Sequence, residues 1–127
     1  MNPTNILVVA VGGALGTVAR YLISVGAGKL FGTSFPWGTI IINIVGSFVL
    51  GTFIEAFALR WNTTEATRVF LTIGICGGFT TFSTFSMDTV LLATRGAMFE
   101  SAFYVVVSVA LSIAALYAGL LLFCAIL

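Results

Sequence analysis

One apolar segment of this chain is interrupted by residues that suit a lipid-exposed helix poorly. Residues 69–92 are long enough to cross a bilayer, but residues 74–85 read Gly-Ile-Cys-Gly-Gly-Phe-Thr-Thr-Phe-Ser-Thr-Phe. A helix broken at Gly77-Gly78 would leave backbone N–H and C=O groups unpaired, and hydrocarbon cannot satisfy them. Such a break persists only where it is buried in protein or lines a polar cavity, and transport proteins place ion sites there. The pattern predicts that residues 74–85 are the working centre of a membrane transport protein.

The composition agrees with a membrane protein. Of 127 residues, 60% are hydrophobic and 7% charged, with a mean hydropathy of +1.20, whereas soluble domains average about 25% charged residues. A membrane helix needs roughly 20 apolar residues, and four segments qualify: residues 6–25, 37–59, 69–92 and 101–126. We therefore expect an all-α membrane protein with four transmembrane helices, the third broken at its centre, forming a single domain over residues 1–127.

Several other classes of protein are disfavoured. Cys76 and Cys124 lie in apolar segments without metal-ligand spacing and the chain has no His, so a disulfide or zinc site is not expected. The net charge of +1, without a basic cluster, gives no support for nucleic-acid binding. No Lys or Arg precedes residues 6–25, which favours a first membrane helix over a cleaved signal peptide.

Two helices carry polar residues on one face. Thr39, Asn43 and Ser47 recur at every fourth position of the second segment. An Asn near the middle of the membrane is a functional candidate unless it only makes a helix–helix hydrogen bond. The fourth segment has the same spacing at Tyr104, Ser108 and Ser112, which indicates a lined path.

The first segment leaves two questions open. Gly12 and Gly16 have the spacing that allows close backbone approach in lipid, either within the chain or between two copies. Arg20 lies near the predicted end of the same helix. It either extends its charge to the interface or faces inward and supports an aqueous vestibule.

The charge distribution does not favour one orientation in the membrane. With four spans, Arg60 and Arg68 lie on one side, whereas Lys29 and Arg95, with Arg20 nearby, lie on the other. The positive-inside rule needs an imbalance that is almost absent here. We therefore expect insertion in both orientations. Four helices are also too few to enclose a pore, so the smallest closed assembly is an antiparallel two-fold dimer.

The interrupted segment offers groups for ions of both signs. Phe79, Phe82 and Phe85 recur every three residues, and their electropositive ring edges would favour a small anion, as would the N-terminus of a resumed helix. The alternative is that these rings are ordinary core. Carbonyl groups freed between Gly77 and Thr80 would instead suit a small hard cation such as Na⁺, provided that two subunits meet there.

These motifs identify a resemblance that covers the whole chain. They are residues 12–16 (Gly-Gly-Ala-Leu-Gly) with Arg20, residues 36–39 (Pro-Trp-Gly-Thr) with Asn43 and Gly46, and above all residues 77–85 (Gly-Gly-Phe-Thr-Thr-Phe-Ser-Thr-Phe). The sequence resembles the Fluc (CrcB-type) fluoride channel family. The resemblance implies an antiparallel dual-topology homodimer with two fluoride pores and a central structural Na⁺, held by the backbone carbonyls of Gly77 and Thr80.

The same resemblance assigns side chains to the pore. Phe82 and Phe85 would be the ring-edge pair, and Asn43 the amide donor that points into the pore. The remaining positions are a hydroxyl track of Thr39, Ser83 and Thr84, a lining of Tyr104, Ser108 and Ser112, and Arg20 as the vestibule cation. The family often has Glu where this chain has Asp88, whose side chain is one methylene shorter and reaches less far.

The expected function is a passive channel, not an enzyme, that lets cytoplasmic fluoride cross the plasma (inner) membrane down its electrochemical gradient. Its partners would be fluoride, the lipid bilayer and a second copy of the chain, and no organic cofactor is expected. One alternative is a proton-coupled exporter of the small-multidrug-resistance type. That mechanism needs a carboxylate within the membrane, but Glu55 and Asp88 fall towards predicted helix ends. A non-transporting assembly subunit would tolerate Ile at positions 82 and 85.

Overall fold

The computed structural model describes residues 2–59 and 62–126, and it is helical throughout apart from short connections. Its elements are α1 (Pro3–Phe31), α2 (Trp37–Leu59), α3 (Glu65–Val69), a π-helical segment (Phe70–Cys76), α4 (Gly77–Phe79), α5 (Phe82–Thr94) and α6 (Met98–Ile126). Within the described residues, four candidate spans are long and apolar enough to cross a membrane: Pro3–Phe31, Trp37–Leu59, Glu65–Thr94 and Met98–Ile126. The prediction of an all-α chain with four such segments is confirmed.

Helix α1 is longer than the sequence indicated. The side chain of Asn2 accepts a hydrogen bond from the Thr4 backbone N–H at 2.9 Å, which caps the first turn. The helix then continues to Phe31, six residues beyond the end of the predicted segment 6–25. It ends at Gly32, whose φ of 83° is a left-handed conformation that glycine adopts without strain. Arg20 therefore lies well inside the helix instead of near its end.

The third span departs from α-helical geometry twice. The π-helical segment has the wider pairing in which each N–H bonds to the carbonyl five residues earlier. Gly77 and Gly78, predicted to break the helix, are helical, with Gly77 at φ −65° and ψ −38°. The predicted position of the break is therefore wrong. The extended residues are the next pair, Thr80 (φ −79°, ψ 157°) and Thr81 (φ −150°, ψ 121°).

The glycines bring helix backbones close together. A Cβ added at Gly12 would lie 2.8 Å from the Phe70 carbonyl oxygen, and one added at Gly78 would lie 2.6 Å from the Gly13 carbonyl oxygen. Helices α2 and α6 approach each other in the same way at Gly51 and Gly119, where an added Cβ would meet the opposite backbone. Small residues therefore allow the helices of this chain to pack closely, as the spacing of Gly12 and Gly16 predicted for α1.

The buried core is small and lies at one end of the helices. Ile40, Phe85, Leu92 and Tyr104 form its cluster, and Phe35 packs against them. By contrast, large apolar side chains along α1 and α6 remain exposed on the single chain, as expected for surfaces that contact lipid or another protein in a membrane.

Candidate functional site

The candidate site is centred on the extended pair Thr80-Thr81, where Asn43 of α2 replaces missing helical hydrogen bonds. The Thr81 N–H donates to Asn43 Oδ1 at 2.9 Å, and Asn43 Nδ2 donates to the Thr81 carbonyl oxygen at 3.1 Å. Backbone groups at a helix interruption have to be satisfied inside a membrane protein. A side-chain amide, which is both a donor and an acceptor, can do this at a single residue.

Helix α5 begins immediately after this pair. Thr81 is its N-cap, and its Oγ1 accepts a hydrogen bond from the Thr84 N–H at 3.1 Å. The hydroxyl group of Ser83 lies 3.4 Å from the same oxygen. The interruption thus creates a new helix N-terminus inside the third span, with N–H groups that have no partner within the helix.

The interruption also changes the surroundings of two carbonyl groups that the sequence proposed as cation ligands. In a continuous helix, the Gly77 carbonyl would accept from the Thr81 N–H, and the Thr80 carbonyl from the Thr84 N–H. Those two N–H groups instead donate to Asn43 Oδ1 and to Thr81 Oγ1. Gly77 is exposed on the single chain and Thr80 is half-buried. Both carbonyl groups therefore lack the donors that a helix would supply.

Two cavities adjoin Thr81. The first, which we call the phenyl cavity, has a volume of about 260 Å³ and is lined by side chains of the second, third and fourth spans. Its lining residues are Asn43, Ser47, Leu50, Thr80, Thr81, Phe82, Phe85, Ser108, Val109 and Ser112. Its polar groups are hydroxyls and one amide, so the described residues of the lining include no charged side chain. Ser108 is buried, and its Oγ has no hydrogen-bond partner among the described residues.

The second cavity, which we call the arginine cavity, also has a volume of about 260 Å³. It is lined by Thr17, Arg20, Tyr21, Ser24, Thr39, Ile42, Thr81 and Thr84. The Nε of Arg20 is buried and has no hydrogen-bond partner in the described part of the chain. Because Thr81 lines both cavities, the Asn43–Thr81 pair lies where they adjoin.

A second polar cluster is centred on Asp88. Its Oδ2 accepts hydrogen bonds from Thr39 Oγ1 at 2.8 Å and from the Tyr104 hydroxyl at 3.0 Å. Hydrogen bonds to a charged acceptor are stronger than those between neutral groups. The single hydroxyl hydrogen of each donor is thereby used on the carboxylate. Thr39 and Tyr104 were predicted to line the pore, and here both donate to Asp88, a side chain to which the sequence assigned no role.

The predicted ring pair is adjacent in space. The Phe82 and Phe85 ring centroids are 5.5 Å apart with planes tilted by 50°, and the Phe85 and Tyr104 centroids are 5.3 Å apart. Phe82 is 77% exposed on the single chain, whereas Phe85 is 9% exposed and Tyr104 is fully buried. Phe82 and Phe85 both line the phenyl cavity, but Tyr104 lies behind Phe85 and does not.

The predicted residues thus fall into several groups. Asn43, Phe82, Phe85, Ser108 and Ser112 meet in the phenyl cavity, and Arg20, Thr39 and Thr84 meet in the arginine cavity. Ser83 is exposed and Tyr104 is enclosed, and neither lines these cavities. The sequence analysis missed Thr81 and the partners of Asp88. The signal for Thr81 was a hydroxyl residue three positions before Thr84, which is the spacing of a helix cap.

Within residues 2–59 and 62–126, no group of three Cys, Asp or Glu side chains could hold a metal ion. The carbonyls of Gly77 and Thr80 are suitable in kind, since oxygen ligands of this type bind hard cations.

Comparison with known proteins adds an independent observation. A protein-family model described as "CrcB-like protein, Camphor Resistance (CrcB)" matches residues 7–120. The chain is 56% identical over 120 residues to the fluoride-specific ion channel FluC of Nitrobacter winogradskyi, covering 94% of this chain and 95% of the relative. The protein of the same name from Agrobacterium fabrum is 53% identical over 118 residues, with 93% and 94% covered. A third, from Rhodospirillum centenum, is 50% identical over 117 residues, with 92% and 93% covered.

Proposed function

The chain belongs to the CrcB-like protein family, and from this premise we propose that it is a fluoride-selective passive channel through which cytoplasmic fluoride leaves down its electrochemical gradient. Its relatives are named as fluoride-specific ion channels, and the chain is a multi-pass integral membrane protein that is not an enzyme. We place it in the plasma (inner) membrane, where an outward fluoride leak would protect the cell.

The observation that carries this proposal is the lining of the phenyl cavity. Asn43, Ser108 and Ser112 offer hydrogen-bond donors there beside the rings of Phe82 and Phe85. A small anion that has lost its water needs donors on several sides, and hydroxyl, amide and ring-edge hydrogens provide them without a fixed positive charge. Binding without an ion pair is weak enough to let the ion leave, which conduction requires.

Two further features favour an anion. The N–H groups at the start of α5 are close to the same cavity, and a helix N-terminus attracts negative charge. Arg20 lines the adjoining arginine cavity, where a cation would raise the local concentration of fluoride. The proposed path therefore runs from the arginine cavity past Thr81 to the phenyl cavity. Selectivity against chloride would come from fixed donors spaced for the smaller ion.

We propose further that two copies assemble as an antiparallel dual-topology homodimer with two pores and a central structural Na⁺. The support comes from the carbonyl groups of Gly77 and Thr80, whose helical donors are diverted to Asn43 and Thr81. Gly77 is exposed on one chain, so a second copy related by a two-fold axis could present the same carbonyls to one ion. The nearly even distribution of Lys and Arg supports insertion in both orientations.

The decisive experiment is anion efflux from liposomes that contain the purified protein, with fluoride and chloride compared at equal gradients and protein-free liposomes as the control. We expect fluoride efflux well above the control and chloride efflux close to it. Equal rates for the two ions, or no fluoride efflux, would exclude the proposed function. Flux that requires a proton gradient would instead indicate a proton-coupled exporter.

Separate experiments test the assembly. Replacing Na⁺ by a large organic cation on both sides should abolish fluoride efflux or weaken dimerisation. The partial negative charges of the gathered carbonyl oxygens would then have no small cation between them. Unchanged efflux and dimerisation would argue against the cation site. Reporter tags on both termini should each be found on both sides of the membrane, and a single orientation would refute the dual-topology proposal.

A further inference from the structure

The connection between α1 and α2 places an aromatic ring against the pore cluster. Phe35 lies in this connection, and its ring makes an edge contact with Tyr104, with centroids 5.7 Å apart and planes at 89°. It also packs on Trp37 at 4.8 Å and on Phe103 at 6.2 Å. Perpendicular packing is a favoured geometry for aromatic pairs because a positive ring edge meets a negative ring face. Phe35 lines neither cavity, so its contacts with the proposed fluoride path are indirect.

Phe35 restrains a residue that contacts two parts of the site. The Tyr104 ring has Phe35 and Phe85 as ring neighbours, and it is fully buried. Its hydroxyl donates to Asp88 Oδ2 at 3.0 Å. A displacement of the Tyr104 ring would therefore move that hydroxyl and give the Phe85 ring room to rotate. The orientation of Phe85 matters because its edge and its face have opposite polarity towards an anion.

The connection between α1 and α2, which contains Phe35, is hydrogen-bonded to the connection between α5 and α6 at the same end of the molecule. The guanidinium group of Arg95, which follows α5, donates a hydrogen bond to the Ser34 carbonyl oxygen. The nearby chain reversal is closed by a hydrogen bond from the Ala97 N–H to the Leu92 carbonyl at 2.9 Å. Arg95 thus holds Ser34, the residue directly before Phe35. Replacing Arg95 therefore removes this contact without removing an aromatic ring from the cluster.

We propose that Phe35, held in place by Arg95, is a positioning residue of the fluoride path. Phe35 fixes the position of the Tyr104 ring, and through Tyr104 it fixes the ring of Phe85 and the hydrogen bond to Asp88. The inference rests on the proposed function for its effect on transport. Its structural part, the dependence of Tyr104 on Phe35 and Arg95, can be measured whether or not the protein conducts fluoride.

The first experiment measures fluoride and chloride efflux for Phe35→Leu, which keeps apolar bulk but removes the ring, and for Phe35→Tyr, which keeps the ring. Loss of one aromatic pair in Phe35→Leu should lower fluoride efflux roughly three- to tenfold and should lower the ratio of fluoride to chloride efflux. Phe35→Tyr should retain the wild-type efflux and the wild-type ratio. The matched control is Phe99→Leu. Phe99 lies on α6, is 79% exposed, and stacks on Phe103 instead of on Tyr104.

The second experiment reports on Tyr104 directly. The chain has three tyrosines, so labelling with 3-fluorotyrosine gives a simple ¹⁹F NMR spectrum, and Tyr104→Phe assigns the Tyr104 resonance. We expect Arg95→Ala to shift that resonance in the wild-type background and to leave it unchanged in the Phe35→Leu background, because Arg95 acts through Phe35. Phe99→Leu should not shift it.

The outcomes separate the two proposals. A wild-type protein without fluoride efflux would exclude the proposed function and leave the NMR experiment to decide the structural part. Efflux of Phe35→Leu equal to that of Phe99→Leu, or lower efflux with an unchanged fluoride-to-chloride ratio, would overturn the positioning role. If Phe35→Leu does not fold, Arg95→Ala decides alone: an unshifted Tyr104 resonance with wild-type efflux would overturn the inference.

Discussion

The side-chain amide of Asn43 exchanges two hydrogen bonds with the backbone of Thr81, at 2.9 Å and 3.1 Å. This single residue of α2 thereby satisfies both polar backbone groups of an extended residue in the third span. The pairing fixes where α5 begins and places Asn43 beside the phenyl cavity. Asn43 is therefore a structural residue as well as a candidate donor to the permeant ion.

Replacing Asn43 by Asp tests this double role. The carboxylate can still accept from the Thr81 N–H, but it faces the Thr81 carbonyl without a donor. We expect the free energy of unfolding to fall by about 1–3 kcal/mol, together with a large loss of fluoride efflux. Thermal unfolding in detergent and liposome efflux measure the two effects. The control is Thr52→Ala on the same helix. Among the described residues, the Thr52 hydroxyl donates a hydrogen bond only to the Val49 carbonyl oxygen. Wild-type stability of Asn43→Asp would contradict the assignment.

Replacing Phe85 should lower the free energy of unfolding more than replacing Phe82 does. Phe85 is 9% exposed and Phe82 is 77% exposed. We expect Phe85→Ile to lower both stability, by about 1–2 kcal/mol, and fluoride efflux. Phe82→Ile should lower efflux with little change in the stability of the monomer. Efflux and unfolding are measured on the same preparations. If both variants conduct like the wild type, the rings are ordinary packing residues.

The Tyr104 hydroxyl should contribute to stability through Asp88. Removing it in Tyr104→Phe deletes a hydrogen bond to a carboxylate, and we expect a loss of about 1.5–3 kcal/mol in the free energy of unfolding. Tyr117→Phe, on the same helix but 62% exposed, should change it by less than about 0.5 kcal/mol. In an Asp88→Ala background, Tyr104→Phe should have almost no further effect. Equal losses in the two backgrounds would show that the hydroxyl acts elsewhere.

Adjacent glycines of α1 provide a test of helix packing. A Cβ at Gly12 would lie 2.8 Å from the Phe70 carbonyl oxygen, whereas a Cβ at Gly13 would have no atom within 4 Å. We expect Gly12→Ala to destabilise the protein by about 1–3 kcal/mol and Gly13→Ala to leave a single chain no less stable. The yield of folded protein and its unfolding temperature provide the comparison. A destabilised Gly13→Ala that no longer dimerises would instead place Gly13 in a subunit contact.

The sequence predicted the four apolar helices because their length and hydropathy are local properties of the chain. It misplaced the interruption because paired glycines have a low helix propensity, which indicates a break at that position. Gly78 instead serves close packing, since an added Cβ would lie 2.6 Å from the Gly13 carbonyl oxygen. The two residues that leave the helical conformation are threonines. Their extended conformation is supported by Asn43, a residue 38 positions away from Thr81, and such a contact cannot be read from local propensity.

The sequence also selected some of the residues that meet at the candidate site, but not their contacts. Spacing along α2 and α6 selected Asn43, Ser108 and Ser112, which meet in one cavity with Phe82 and Phe85. The same spacing placed Tyr104 on that path, but the structure encloses its ring between Phe35 and Phe85 and directs its hydroxyl to Asp88. These are contacts between different spans. Helical periodicity identifies the face of a residue and not the partner that face will meet.

The π-helical segment from Phe70 to Cys76 has a consequence for how the third span tolerates changes of length. The wider hydrogen-bond pairing of this segment determines the direction in which the following residues face. It thereby brings Gly78 against Gly13 and Thr81 against Asn43. Deleting one residue there without a change of pairing would turn everything downstream by roughly the rotation of one residue, which is about 100° in an ordinary α-helix. Homologous chains should therefore accept insertions and deletions in their connections far more readily than in this stretch.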